Sequence, residues 1–366
     1  MTSVADDFDF WAHDPVVIDR GGILSPDRLT ELEQLNWDIV SGLAEQAFDT
    51  LRRTELAPEL VGLQMHLIDS PAINAFLRVV GDRKIIGLNR GLIDQLWTLL
   101  ATLMAHPEVL QEHFKDNPTV DLEVWRRDLQ AQLASLREKR VQPAYIPDYI
   151  TKDRLENATL FYCCMIDYVI HHELAHLVRG HAPLLSARYA LSAVEEVPRE
   201  PLSEEIRHTL NMIEIDADLH GLDLLVEYEP EFHELRSATA TTAQRRDNMF
   251  LHTFPLLLIS QLFDFEHMSI AAQLSQQHPP PVYRAIINTM ALSDTYELTV
   301  GLTKEDAIDE HDKAWWEASR CATLLGFPEG RWVGHTNDID HARVWERQRE
   351  YKAFEAELNA INTADE

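Results

Sequence analysis

The hexapeptide His171-His172-Glu173-Leu174-Ala175-His176 restricts the fold of this chain more than any other feature of its sequence. It lies late in an apolar stretch that starts near Asn157 and stops at Gly180, and the spacing of the apolar residues predicts a helix there. Residues four apart on a helix lie one turn above each other, so His172 and His176 can direct their rings at one point. The chain must therefore fold around a helix that presents two imidazoles on one side.

A pair of acidic residues follows on a second predicted helix. Glu214 and Asp218 stand four residues apart. The helix begins with a cap signal at 203–205, and its buried face is formed by Ile206, Leu210, Ile213, Ala217 and Leu224. Both carboxylates border this face, which is unfavourable unless a cation or hydrogen bonds compensate their charge.

Together these residues predict a site for one zinc ion. His172, His176 and Glu214 would bind the ion and leave one position for water, as is typical of catalytic zinc. Asp218 would accept the free N–H of a ligand imidazole and so fix its tautomer. Glu173 could take a proton from the zinc-bound water, whose pKa the metal lowers from about 16 towards about 7. This chemistry suits the hydrolysis of a peptide bond.

Simpler interpretations exist for the same residues. The three fixed positions of the motif arise by chance in roughly a few per cent of chains of this length. Glu214 and Asp218 could also belong to an exposed acidic face. We expect His171 and His181 to be polar residues near a helix end, and Asp216, about 200° round the helix from Glu214, to face solvent.

The order of the motifs resembles the gluzincin metallopeptidases, and among them the family of the CAAX prenyl proteases and heat-shock membrane proteases. HELAH at 172–176 looks like the zinc helix of that family, and EIDADLHG at 214–221 resembles its third-ligand helix. His278, followed by two prolines and by Arg284 six residues on, is similar to the His-Pro and Arg that the family places beside the metal. Asn74-Ala75-Phe76 resembles its substrate-binding edge strand.

The resemblance implies roles for these further residues. His278 would donate a hydrogen bond to the oxyanion, and Arg284 would brace a carboxylate or contact the carbonyl of the substrate. An extended substrate segment would add to the edge at Asn74, Ala75 and Phe76 through main-chain hydrogen bonds, which favours an endopeptidase. Soluble relatives of that family include the phage-exclusion peptidase type and the minigluzincins, and this chain looks similar to the former in its acidic, soluble character and its doubled His before Glu173.

The predicted fold is α+β and mostly α, with a gluzincin-like zincin core, a small antiparallel sheet and helical additions. Alternating apolar residues predict strands at 63–67 and 73–79, and the Gly81-Asp82 turn leads into a third at 84–88. Ser25 and Pro26 predict the start of a helix that ends near Leu51, and an amphipathic helix is predicted from Gly91.

Three regions are predicted along the chain. Residues 1–58 form a helical lead-in and residues 59–300 form the catalytic domain. That domain carries an insertion at 105–153, which is polar, contains four prolines and has one helix predicted at 120–140. Residues 301–366 form a C-terminal helical extension, in which Tyr351, Phe354, Leu358 and Ile361 share one face.

Composition excludes several classes of partner. The net charge is -29, from 61 acidic and 32 basic residues, and it would repel nucleic acid and anionic lipid. No apolar run approaches the roughly 20 residues of a membrane span, and the acidic amino terminus does not resemble an export signal. We therefore expect a cytoplasmic protein whose partner is a protein or peptide substrate.

Two rival functions fit the same motifs. One is a noncatalytic interaction protein in which zinc only stabilises the fold, although such a site needs no base at Glu173 and usually closes with a fourth protein ligand. The other is a toxin-like or phage-defence protease that cleaves one host protein. The sequence does not separate this second function from general protein turnover.

Overall fold

The computed structural model describes residues 10–114, 120–140, 142–189, 203–264, 281–327, 332, 349–356 and 358–360. These residues are mostly helical and include one three-stranded sheet, which confirms the prediction of a mostly α, α+β protein. The chain divides into two compact units, Met1–Ile166 and Asp167–Glu366. No helix in the described part of the chain is both long and apolar enough to cross a membrane.

The first unit combines helices with the sheet. Its elements in chain order are α1 (Pro15–Asp19), α2 (Glu31–Leu51), β1 (Leu63–Ile68), β2 (Ala75–Val80), β3 (Arg83–Asn89), α3 (Leu96–Met104), α4 (Leu122–Arg137) and the first part of α5 (Lys152–Val178). Short 3-10 turns lie at Pro26–Arg28 and Ala57–Leu60, and a π-helical turn at Gly91–Gln95 leads into α3.

Helix α2 starts later than predicted. Ser25 and Pro26 begin only the short 3-10 turn, whereas the helix begins after Thr30. The Thr30 hydroxyl accepts the N–H of Glu33 at 3.4 Å, and the Glu33 carboxylate accepts the N–H of Thr30 at 2.8 Å. This capping box satisfies two backbone donors at once, so it sets the start of the helix. The predicted end at Leu51 is confirmed.

The sheet is mixed, and the prediction of an antiparallel sheet was wrong in this respect. The strand order is β1-β3-β2, with β2 antiparallel to β3 and β1 parallel to β3. The Gly81 turn joins β2 and β3 as a hairpin, as predicted, with Gly81 at φ +62. Strand β1 occupies the other side of β3, because the chain crosses over before it enters β2. Alternation of apolar residues carries no information about this direction.

The helix predicted from Gly91 is not amphipathic. Every residue of Leu96–Met104 is buried, so α3 runs through the core of the first unit. The predicted insertion belongs to the same core. Trp125 of α4 donates its indole N–H to the carbonyl of Thr102 at 2.8 Å, which joins α4 to α3.

The second unit is helical throughout the residues described. The last part of α5 is followed by α6 (His181–Tyr189), α7 (Glu204–Tyr228), α8 (Pro230–Leu235), α9 (Thr242–Asp264), α10 (Pro281–Thr295), α11 (Lys304–Leu325) and helical residues at 349–356 and 358–360.

The C-terminal segment, described at residues 349–356 and 358–360, packs as predicted. Tyr351, Phe354 and Leu358 are buried in one cluster with Leu184 and Leu185 of α6 and with apolar residues of α7. The predicted fourth member of this face, Ile361, lies outside the described residues. Helix α7 is therefore covered on more than one side, which explains why its residues from Thr209 to Asp218 are all buried.

Helices α5 and α7 cross closely at Gly221. A β-carbon at Gly221 would lie 3.0 Å from both the backbone nitrogen and the Cα of His172. Backbone atoms cannot move aside as a side-chain end can, so only glycine permits this approach. The crossing places the acidic residues of α7 beside the histidines of α5.

We predict that Gly221→Val lowers the stability of the second unit by about 1–3 kcal/mol, the usual effect of overpacking. The matched control is Gly42→Val, because Gly42 lies within α2 and a β-carbon there would meet no atom within 4 Å. That change should alter stability by less than about 0.5 kcal/mol. Urea unfolding followed by circular dichroism measures both. Equal stability of the two variants would contradict the close crossing.

Candidate metal centre

Helices α5 and α7 bring His172, His176 and Glu214 together in a buried cluster. The Nε2 atoms of the two histidines lie 3.1 Å apart. The Glu214 carboxylate lies 3.6 Å from Nε2 of His172 and 3.7 Å from Nε2 of His176. Zinc binds nitrogen and oxygen ligands at about 2.0–2.1 Å, so two ligands of a tetrahedral site lie about 3.3 Å apart. The three donors therefore have the spacing that one zinc ion requires.

The outer nitrogen of His172 faces a carboxylate, as predicted. Nδ1 lies 2.9 Å from Oδ1 of Asp218, which is fully buried. The contact is close but lacks hydrogen-bond geometry, so Nδ1 has no hydrogen-bond partner among the described residues. Because a carboxylate only accepts hydrogen bonds, Asp218 would take the N–H of Nδ1 once the ring turns towards it, and Nε2 would then be free to bind a metal.

Asp218 is held in place by helix α10 and by Tyr168. Arg284 donates two hydrogen bonds to its carboxylate, at 2.7 and 2.6 Å, and lies 3.3 Å from Glu214. Tyr168, one turn before His172 on α5, donates its hydroxyl at 2.7 Å and accepts a hydrogen bond from Asn288 at 2.9 Å. Burial raises the pKa of Asp218, but the Arg284 charge and the contact with His172 lower it below its usual range.

The outer nitrogen of His176 faces a second histidine, which the sequence analysis did not assign to the site. Nδ1 of His176 lies 2.8 Å from Nδ1 of His181, and Nε2 of His181 lies 2.9 Å from Asp216. Asp216 accepts, so Nε2 of His181 carries a proton and its Nδ1 is an acceptor. Nδ1 of His176 must then be the donor, and its Nε2 also presents a lone pair to the cluster.

Two expectations from the sequence are corrected here. Asp216 was expected to face solvent and His181 to be a polar residue at a helix end, yet both are fully buried. Gly180 adopts φ +69 between helices α5 and α6 and ends α5 there, and His181, the next residue, contacts His176. Asp216 is buried because α6 and the C-terminal segment cover the side of α7 opposite to Glu214.

The electrostatics of the pair fit a cation between them. Burial lowers the pKa of His172, but the Asp218 and Glu214 carboxylates beside the ring raise it to about 10, which favours a proton on Nε2 while no metal is bound. Burial lowers the pKa of His176 well below its usual value, and it also lowers that of His181. Two Nε2 lone pairs would repel each other unless a proton or a metal ion lay between them. The proton and the metal ion compete for that position. A buried set of two imidazoles and one carboxylate matches the ligand types of zinc and of other divalent transition metals.

The other predicted site residues fall into three groups. Glu173 is buried beside the ligands, and Arg284 braces a carboxylate, one of the two roles considered for it. His278 lies outside the described residues. Asn74, Ala75 and Phe76 belong to the first unit; Asn74 precedes β2, which is an edge strand as expected.

A second group of metal-ligand residue types lies on the other side of α5. His171, expected to be a polar residue, is buried. Its Nδ1 lies 3.3 Å from the carboxylate of Asp167 and 2.9 Å from the carbonyl oxygen of the same residue, and its Nε2 lies 3.7 Å from Glu229. Burial lowers the pKa of His171, but the Asp167 and Glu229 carboxylates raise it overall. Asp167, His171 and Glu229 are therefore a second group of residues that could hold a metal ion.

We predict that the purified protein holds about one zinc ion per chain and that His172→Ala or Glu214→Ala releases it, because each removes one of three ligands. The control is His208→Ala, since His208 is exposed on the same helix as Glu214. Atomic emission spectroscopy after dialysis measures the zinc content. Full zinc occupancy in both ligand variants would overturn the assignment.

Comparison with known proteins assigns neither a family nor a function. No protein-family model matches the sequence, no curated protein matches it, and no solved structure matches the fold. The chemistry of the centre must therefore be argued from its own residues, and the resemblance to gluzincins stays a prediction.

Proposed function

We propose that this chain is a zinc-dependent peptidase in which His172, His176 and Glu214 hold the metal and Glu173 is the general base. One observation carries the proposal. The Nε2 atoms of His172 and His176 and the Glu214 carboxylate converge within 3.7 Å of one another in a buried cluster, an arrangement that a cation stabilises. Zinc, when bound, supplies a Lewis acid that polarises a carbonyl and lowers the pKa of water.

The residues of the chain would perform the other steps. Glu173 follows a ligand directly on α5 and is buried, so its carboxylate would take a proton from the attacking water and return it to the leaving amine. Asp218 holds His172 in the ligand tautomer, and Arg284 holds Asp218. The Arg284 charge also lies 3.3 Å from Glu214, which limits the negative charge that the cluster presents to a substrate carbonyl.

Finer assignments belong to the same proposal. The resemblance to gluzincins favours an endopeptidase whose extended substrate adds to the edge strand that follows Asn74, with His278 as donor to the oxyanion. We propose a protein or peptide as the substrate and the cytoplasm as the location. A role in phage defence, with one host protein as the substrate, is a narrower form of this proposal.

A noncatalytic interaction protein is the alternative. Structural zinc sites close with four protein ligands, whereas the described residues bring three donors to this cluster. A base beside the ligands also has no use in a structural site. Both features favour an enzyme.

The decisive variant is Glu173→Gln, which keeps the size of the side chain but removes the base. We predict that zinc content and melting temperature stay near wild type, while peptide cleavage falls by at least about 100-fold. Glu317→Gln is the control, because Glu317 is also buried but lies on α11. Cleavage is measured by comparing protein amino termini in cell extracts incubated with each variant. Wild-type cleavage by Glu173→Gln would refute the proposed base, and cleavage by no variant would favour the interaction protein.

A further inference from the structure

The two ligand histidines are supported differently. His172 contacts its buried carboxylate, Asp218, directly, whereas a whole imidazole ring separates His176 from its buried carboxylate, Asp216. His181 and Asp216 are both fully buried, so their hydrogen bonds are not weakened by water. His176, His181 and Asp216 therefore form a chain of hydrogen bonds in which each proton has one position.

At the far end of this chain of hydrogen bonds, groups from two segments donate to Asp216. Arg179 donates to Asp216 through Nε at 2.8 Å and through Nη2 at 3.2 Å. The hydroxyl of Tyr351, in the C-terminal segment, donates to the same carboxylate at 3.1 Å. Arg179 also donates to the amide oxygen of Asn359 at 3.0 Å. The C-terminal segment thus contacts Asp216 and Arg179, the two charged groups at the end of this chain of hydrogen bonds.

We propose that His181 and Asp216 are positioning residues of the metal centre and that the C-terminal segment, through Tyr351, regulates its affinity for zinc. The proposal rests on the metal site proposed above and deepens it. The proposal follows from the direction of the hydrogen bonds. His176 can bind a metal through Nε2 only while Nδ1 keeps its proton, and His181 accepts that hydrogen bond only while Asp216 accepts from its Nε2.

Docking of the C-terminal segment stabilises these donor and acceptor positions. Tyr351 and Arg179 both act as donors to Asp216, so they keep both of its oxygens acting as acceptors and orient the carboxylate towards His181. If residues 349–360 were displaced, Asp216 would lose the Tyr351 hydrogen bond and Arg179 would lose Asn359. The carboxylate could then rotate, and His176 would hold its metal less firmly. A partner that captures the C-terminal segment would weaken zinc binding in this way.

The test compares His181→Leu with His181→Gln in the full chain, with zinc affinity measured by competition with a chelator. Leucine fills the space but cannot relay a hydrogen bond, so we expect zinc affinity to fall by about 10- to 100-fold, as for other outer partners of metal ligands. Glutamine can accept at its oxygen and donate at its nitrogen, so it should restore most of the affinity. Tyr351→Phe, which removes one hydroxyl at the end of the chain, should cause a smaller loss in the same direction.

A matched control separates positioning from folding. His252 is also buried in the second unit and lies 2.6 Å from the carboxylate of Glu231, away from the cluster. His252→Leu should lower stability but leave zinc affinity unchanged. The visible absorption of the Co2+-loaded protein should change for His181→Leu and stay constant for His252→Leu, because it reports the ligand field.

Three outcomes would overturn the inference. Wild-type zinc affinity in His181→Leu would refute the relay, and unchanged affinity in Tyr351→Phe would refute the role of the C-terminal segment. If His181→Leu does not fold, wild-type zinc affinity in Tyr351→Phe still refutes the regulatory part. A His181→Gln variant that binds zinc no better than the unfolded chain then refutes the relay. Failure of the wild-type protein to bind zinc is a different result, since it refutes the metal site itself.

Discussion

The second unit is organised around three buried polar groups that converge on one place. The Nε2 atoms of two imidazoles and a carboxylate lie within 3.7 Å of one another in a buried cluster. Such a set is unfavourable unless a cation or a proton lies between the groups. Helices α5 and α7 would not hold these residues together for packing alone, because apolar residues of similar size would pack at least as well.

Most of the polar structure around the cluster can be understood as support for these three groups. Helix α7 carries Glu214, Asp216 and Asp218 through the interior of the second unit, and two arginines and several neutral donors satisfy the outer two carboxylates. The hydrogen bonds through His181 fix the tautomer of the His176 ring before a metal arrives. The low dielectric of the interior strengthens these bonds, but it also makes the loss of any partner more damaging than at a surface.

The sequence predicted the centre of this site well, because short-range geometry determines it. The spacing of His172 and His176 on a helix fixes their relation, and the same spacing on α7 relates Glu214 to Asp218. His181 and Asp216 could not be found in this way. Periodicity assumes a helix with one buried face, whereas α6 and the C-terminal segment cover the other side of α7.

Other differences have equally local causes. The parallel pairing of β1 with β3 depends on the path of the chain, which alternation does not encode. The true start of α2 was readable from Thr30 and Glu33, but the Ser25-Pro26 signal upstream also describes a real turn. A polar residue inside a buried helix, such as Asp216, is a signal that sequence analysis can use once burial on both sides is considered.

The central claim is that two imidazoles and one carboxylate converge on one zinc ion, and zinc X-ray absorption spectroscopy of the purified protein tests it most directly. The account predicts four nitrogen or oxygen neighbours at about 2.0–2.1 Å, with the outer scattering of two imidazole rings. Sulfur neighbours at about 2.3 Å, or a six-coordinate ion without imidazole scattering, would contradict the account.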